Sequence, residues 1–156
     1  MRRVLFVAIA FLLISAPMKA QRSSQQAAQQ SSPAGLSCFE NLSAPEYTRA
    51  ALQAHMEGSV WTTTHVSPQG TIDKIDTQVV SAWDSAPKFL VAPAEKAVRA
   101  AKIKPECAGK DVLVVFRYEL HGDVTPNPQT TSKMDPPYVV WIDSQAAPGP
   151  QMSASK

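Results

Sequence analysis

Gly58-Ser59-Val60-Trp61-Thr62-Thr63-Thr64-His65-Val66-Ser67-Pro68-Gln69-Gly70-Thr71-Ile72 is the stretch on which the fold turns. From Ser59 to Val66 it alternates, with Val60, Thr62, Thr64 and Val66 on one face and Ser59, Trp61, Thr63 and His65 on the other. β-Branched residues and Trp at period two predict a strand. Ser67-Pro68-Gln69-Gly70 follows with turn chemistry: Pro presets φ, and Gly accepts a positive one. A second strand is expected from Thr71 to Val80. Its apolar spacing breaks between Ile72 and Ile75, an interval of three that predicts a bulge.

On the C-terminal side, Pro87 and Pro93 complicate a helical pattern, because a proline deep in a helix removes a hydrogen bond and clashes with the preceding turn. The regular helix is therefore expected to start near Ala92–Ala94 and run to Lys102. Ala94, Ala97, Val98 and Ala101 would face the sheet, with Phe89 and Leu90 packed just ahead and Pro105 as the stop. Val112 to Leu120 reads as a third strand, central or well covered. Thr125-Pro126-Asn127-Pro128 and Asp135-Pro136-Pro137 frame what reads as an irregular loop. Tyr138–Ile142 is then a compact fourth strand. On the N-terminal side, Ser43 reads as an N-cap with Pro45 and Glu46 in a first turn, and Tyr47, Ala50, Ala51 and Ala54 fall at helical spacing. The expected architecture is α+β: a three- to four-stranded antiparallel sheet in the order β-β-α-β, with an extra C-terminal strand and one main helix packed on it.

The chain of 156 residues is long enough for one domain, which does not occupy all of it. Arg2 and Arg3 precede an apolar run from Val4 to Ile14, then Ser15-Ala16-Pro17-Met18-Lys19-Ala20. That is the layout of a secretory signal, with cleavage expected after Ala20. The alternative is a retained anchor, but the run falls short of the ~20 apolar residues a bilayer span requires. The expected division is residues 1–20 as signal, 21–37 as a disordered Gln-, Ser- and Ala-rich leader and 38–120 as the domain. Residues 121–145 would carry a loop and the extra strand, and 146–156 a mobile tail. Losing the signal removes Arg2, Arg3 and Lys19 from 15 basic residues, leaving 12 against 13 acidic ones. No basic cluster survives to suggest nucleic acid or an anionic membrane surface, and a periplasmic or secreted location is expected.

Export permits a disulfide between Cys38 and Cys107, which would tie the segment before the domain to the loop after its helix. Two independent thiols are the alternative. Catalytic signals are weak throughout. His55, His65 and His121 are scattered and read as surface or interface residues, with no metal or cofactor expected. Cys107 near Lys110 could be a reactive thiol, but no Cys-x-x-Cys accompanies it. There is no phosphate loop or nucleophile elbow. Glu57 and Asp111 both sit at strand starts, where solvated charges are ordinary. Trp61 and Trp141 read as sheet-face residues, and Trp83 as an exposed contact.

The order of several short motifs carries more information than any of them alone. Pro45-Glu46-Tyr47, Glu57-Gly58-Ser59-Val60, Val66-Ser67-Pro68-Gln69-Gly70, Ala97-Val98-Arg99, Lys104-Pro105 and Gly109-Lys110-Asp111-Val112 follow one another as in the C-terminal domain of TonB-family energy transducers. The resemblance covers about half the chain. It departs from the family at Thr48, where a Pro is common, and at Ala101 and Ile103, where an aromatic pair is common. A signal also replaces the usual anchor, and Tyr138–Ile142 is additional. The resemblance implies a non-catalytic, transport-associated domain that binds an extended peptide segment of an envelope or outer-membrane protein at a sheet edge, without energy coupling of its own. The contact residues it suggests are Tyr47, Val112, Val114, Phe116, Arg117 and Tyr118. Tyr138–Ile142, folding back antiparallel on Val112–Leu120, would cover that edge from within the chain. A second possibility is an envelope protein that forms homodimers through sheet edges.

Overall fold

The computed structural model describes residues 33–80 and 87–149. The expected signal, most of the expected leader, Trp83 and the end of the expected tail lie outside them. The architecture is α+β with one main helix packed on a sheet, as expected. The sheet has five strands and is mixed: β1 (Gly58–Val66), β2 (Ile72–Val80), β3 (Asp111–Leu120), β4 (Thr130–Asp135) and β5 (Val139–Ser144), in spatial order β2-β1-β3-β5-β4.

β1 sits between β2 and β3 and pairs antiparallel with both. Val60, Thr62, Thr64 and Val66 are buried on its inner face, while Trp61 on the outer face is 44% exposed. The expected bulge is present: His65 pairs with Lys74 and Val66 with Ile72, so Asp73 is the extra residue. Gly70 at φ 82° closes the hairpin loop, where a side chain would be strained.

The main helix α2 (Ala92–Ala100) follows a π-helical turn over Pro87–Val91, which places Pro93 near the start of the α-helix, where its missing N–H is tolerated. Ala94 and Val98 are fully buried against the inner face of the sheet, with Ala97 and Ala101 packed alongside. The helix ends at Ala100, two residues earlier than expected, and Ala101 is extended. The short helix α1 (Arg49–Gln53) also starts later than expected. Its N-cap is Thr48, whose Oγ1 accepts from the Ala51 N–H at 3.3 Å, in place of Ser43. Residues 42–47 form no helix and carry Leu42 and Tyr47 into the core.

Three further expectations are corrected. First, β5 pairs with β3 parallel, not antiparallel: Val115 stands opposite Val139, Arg117 opposite Trp141 and Leu120 opposite Ser144. Second, the segment read as an irregular loop contains β4, which pairs antiparallel with β5 and makes the parallel return possible. All six β4 residues are exposed, so no apolar alternation marked it. Third, order extends beyond the expected boundaries at both ends. Leu36 is buried in the leader, Ala146 and Ala147 are buried in the tail, and the Ala147 N–H reaches the Leu52 carbonyl at 3.2 Å. Small residues can be enclosed where backbone packs on backbone, although they carry little hydropathic signal.

Cys38 and Cys107 form a disulfide. The two segments it joins also pair through their backbones, with Glu40 N–H to Lys102 O at 3.0 Å and Lys104 N–H to Cys38 O at 2.8 Å. The covalent link and these backbone bonds therefore fasten the same two segments.

Candidate functional site

The edge of β3 away from β1 is where strand addition was expected. It is filled from end to end by the chain itself. Ala34 donates to the Asp111 carbonyl at 3.0 Å and accepts from the Leu113 N–H at 2.7 Å. The Val115 N–H then donates to Tyr138 O at 2.8 Å, and β5 takes over from Val115 to Leu120. The two covering segments are fastened to each other by Leu36 N–H to Pro137 O at 2.7 Å and by the Tyr138 hydroxyl to Pro33 O at 3.2 Å. Gly35 makes this approach possible, since a Cβ there would lie 2.1 Å from Pro137 O.

Of the expected contact residues, Val112, Val114, Phe116 and Tyr118 point inward and are at most 1% exposed. Tyr47 is buried with them, edge-to-face on Tyr118 at 5.1 Å, and its hydroxyl donates to Met56 O. Burial pushes both phenol pKa values upward, so both rings are neutral hydrogen-bond donors. The Tyr118 hydroxyl reaches Leu90 O at 3.3 Å and joins the strand to the turn before α2. Arg117 alone among the six is exposed; it lies over the Trp141 ring at 4.5 Å. Among the described residues, the open edges of the sheet are those of its outer strands, β2 and β4. Glu57 and Asp111 lie at opposite ends of β1. Glu57 accepts the Leu120 N–H at 2.7 Å, and Asp111 pairs with His65.

The outer face of the sheet carries two charge clusters. At one end His65 bridges strands, with Nε2 2.9 Å from Asp76 and Nδ1 2.7 Å from Asp111, while Lys74 pairs with Asp76 at 2.7 Å. Hydrogen bonds to Asp76, then Asp111, raise the His65 pKa above its ordinary value; Lys74 and then His65 lower that of Asp76. At the other end, His121 Nε2 lies 3.4 Å from Glu119 and 3.3 Å from Asp143. Sequence reasoning missed this grouping. Glu119-x-His121 has the period-two spacing that puts both residues on one side of a strand, but Asp143 arrives only through the parallel β3–β5 register. On the helix side, Ala44, Pro45, Phe89, Pro93 and Ala97 line a mainly apolar groove between residues 41–50 and α2.

No helix among the described residues is long and apolar enough to cross a membrane. No curated protein and no solved structure matches the chain. The family described as Gram-negative bacterial TonB protein C-terminal matches residues 43–120, from the segment before α1 through β3. The leader, β4 and β5 lie outside that span, so the cover on the β3 edge is built from residues beyond the matched span. With half of its length matched, from the segment before α1 to the end of β3, the chain belongs to the TonB C-terminal family.

Proposed function

We propose that this chain is a non-catalytic binding domain of the bacterial envelope, associated with transport, which takes an extended peptide segment of an envelope or outer-membrane protein by strand addition at the outer edge of β4. The observation that carries this reading is the in-chain cover on β3. Val140 and Ile142 of β5 are fully buried, and exposing each would cost about 1.5–3 kcal/mol. A partner therefore gains more by adding to an open edge than by evicting β5. Of the two outer strands, β2 carries a bulge and the charges of Asp73, Lys74 and Asp76, devices that discourage pairing. β4 is regular through all six residues, with no bulge, and carries two charges, Lys133 and Asp135. Tyr47, Val112, Val114, Phe116 and Tyr118 then support the sheet from beneath, and Arg117 is the one exposed residue among the six.

A second reading uses the same edge. Two copies pairing β4 with β4 about a two-fold axis would form a homodimer, and Met134, 48% exposed on that strand, would be covered. One experiment separates them. A photoreactive residue is placed at Lys133 or, as a control, at Lys74 in chain exported by a Gram-negative host, and the adducts are identified by mass spectrometry. Adducts from position 133 with an extended segment of another envelope protein are expected. Adducts only with a second copy would favour the dimer, and adducts only from position 74 would refute the β4 assignment.

A further inference from the structure

The cluster at the end of β3 has the composition and spacing of a divalent-cation site. Glu119 and Asp143 are register partners on adjacent parallel strands, and His121 follows β3 directly, its backbone N–H held by Ser144 O at 2.8 Å. One donor atom from each of the three lies within 4.8 Å of the others. The two nitrogen–oxygen separations, 3.4 and 3.3 Å, fit a tetrahedral ion, whose ligand–ligand edges are about 3.4 Å for metal–ligand bonds near 2.1 Å.

The arrangement differs from an ordinary group of surface acids in two respects. The first is the imidazole, which brings a borderline-soft nitrogen to two hard oxygens. The second is an outer layer that orients a ligand. Arg117 donates to Glu119 Oε1 at 2.6 Å, leaving Oε2 as the atom that faces His121. Arg117 is itself seated over the Trp141 ring at 4.5 Å. Such outer contacts fix ligand geometry in metal sites.

We propose that Glu119, His121 and Asp143 bind a divalent cation of the zinc class, with water completing the coordination. Two carboxylates and a neutral imidazole supply two negative charges to the ion. The imidazole selects zinc or copper over magnesium and calcium, which take oxygen ligands. Because the ligands come from both strands of the β3–β5 seam, the bound ion clasps the strand that covers the β3 edge. This inference does not depend on where a partner docks.

The test is calorimetric titration of the full mature chain with Zn²⁺, and separately with Mg²⁺, alongside NMR of the histidine rings. One zinc per chain is expected, bound at least tenfold more tightly than magnesium, with the His121 ring resonances shifting and the His55 and His65 rings unmoved. His121→Ala and Asp143→Asn should each weaken zinc at least tenfold, while His65→Ala leaves it unchanged. Saturating zinc should raise the urea midpoint of the native chain and not that of His121→Ala. Absence of saturable zinc binding up to millimolar concentration, or equal binding by native and His121→Ala chains, would overturn the site and leave an ion-pair cluster only. Circular dichroism checks that each variant is folded, and the exposed His121 can be replaced without opening the core.

Discussion

Ile142→Ala isolates the contribution of β5. Ile142 is fully buried, stands opposite Tyr118 on β3 and Ser132 on β4, and belongs to the same core as Phe116 and Val140. Truncation removes three carbons, about 2.4 kcal/mol of transfer free energy at 0.8 kcal/mol per methylene. The residual cavity adds to this, giving an expected loss of about 3–4 kcal/mol. Urea unfolding followed by tryptophan fluorescence is a suitable assay, because Trp61 and Trp141 lie on the two strands flanking β3. With an m-value of about 1.5 kcal/mol/M, the midpoint should fall by about 2–2.7 M. Thr131→Ala on exposed β4 is the control and should stay within about 0.5 kcal/mol of native. A loss below about 1 kcal/mol for Ile142→Ala would mean that β5 is a loosely held flap, and the case for an occupied β3 edge would fail.

Reducing the disulfide, or replacing Cys38 and Cys107 together by Ser, reopens a loop of 69 residues and should cost about 4 kcal/mol on the chain-entropy account, read as a lower urea midpoint; an unchanged midpoint would contradict it. Gly35→Ala should destabilise by about 1–3 kcal/mol, because its Cβ would meet Pro137 O at 2.1 Å and Tyr138 Cδ1 at 2.8 Å; a neutral result would show that the leader is not docked there. The His65 pKa is raised in the fold, so its contribution is complete below the unfolded value of about 6.5 and is lost as pH rises through the folded value. The lowered Asp76 pKa works in the opposite sense, its contribution being lost only as pH falls through the folded carboxyl value. The ring titration of His65 should therefore have its midpoint above about 6.5, and His65→Gln should flatten the decline in urea midpoint on the alkaline side; a midpoint at or below the ordinary value would refute the bridge.

Much of the fold was legible because burial on one face imposes a period on the residues. Val60, Thr62, Thr64 and Val66 alternate since that side of β1 meets the helix, and the interval from Ile72 to Ile75 marks the bulge at Asp73. The same logic fails where no face is buried. β4 reads Thr-Thr-Ser-Lys-Met-Asp, all exposed, and owes its strand geometry to β5 rather than to its own composition. Strand direction was likewise invisible, because Val139–Ser144 would present alternate faces whether it ran parallel or antiparallel to β3. Only the unforeseen hairpin between β4 and β5 makes the parallel return natural. Five of the six candidate contact residues lie on β3, but sequence could not show that alternate positions of β3 face the core. It could not bring Asp143 to Glu119 and His121 either, because that meeting is created by register.

The central claim is that β3 is covered by its own chain, parallel, from Ala34 through Ser144. Nuclear Overhauser contacts and amide exchange on the isotope-labelled chain test it most directly. The account predicts cross-strand backbone contacts that place Arg117 beside Trp141 and Tyr118 beside Ile142 in parallel register, with β3 amides as slow to exchange as those of β1. Contacts in antiparallel register, or fast exchange of the β3 amides facing β5, would contradict it.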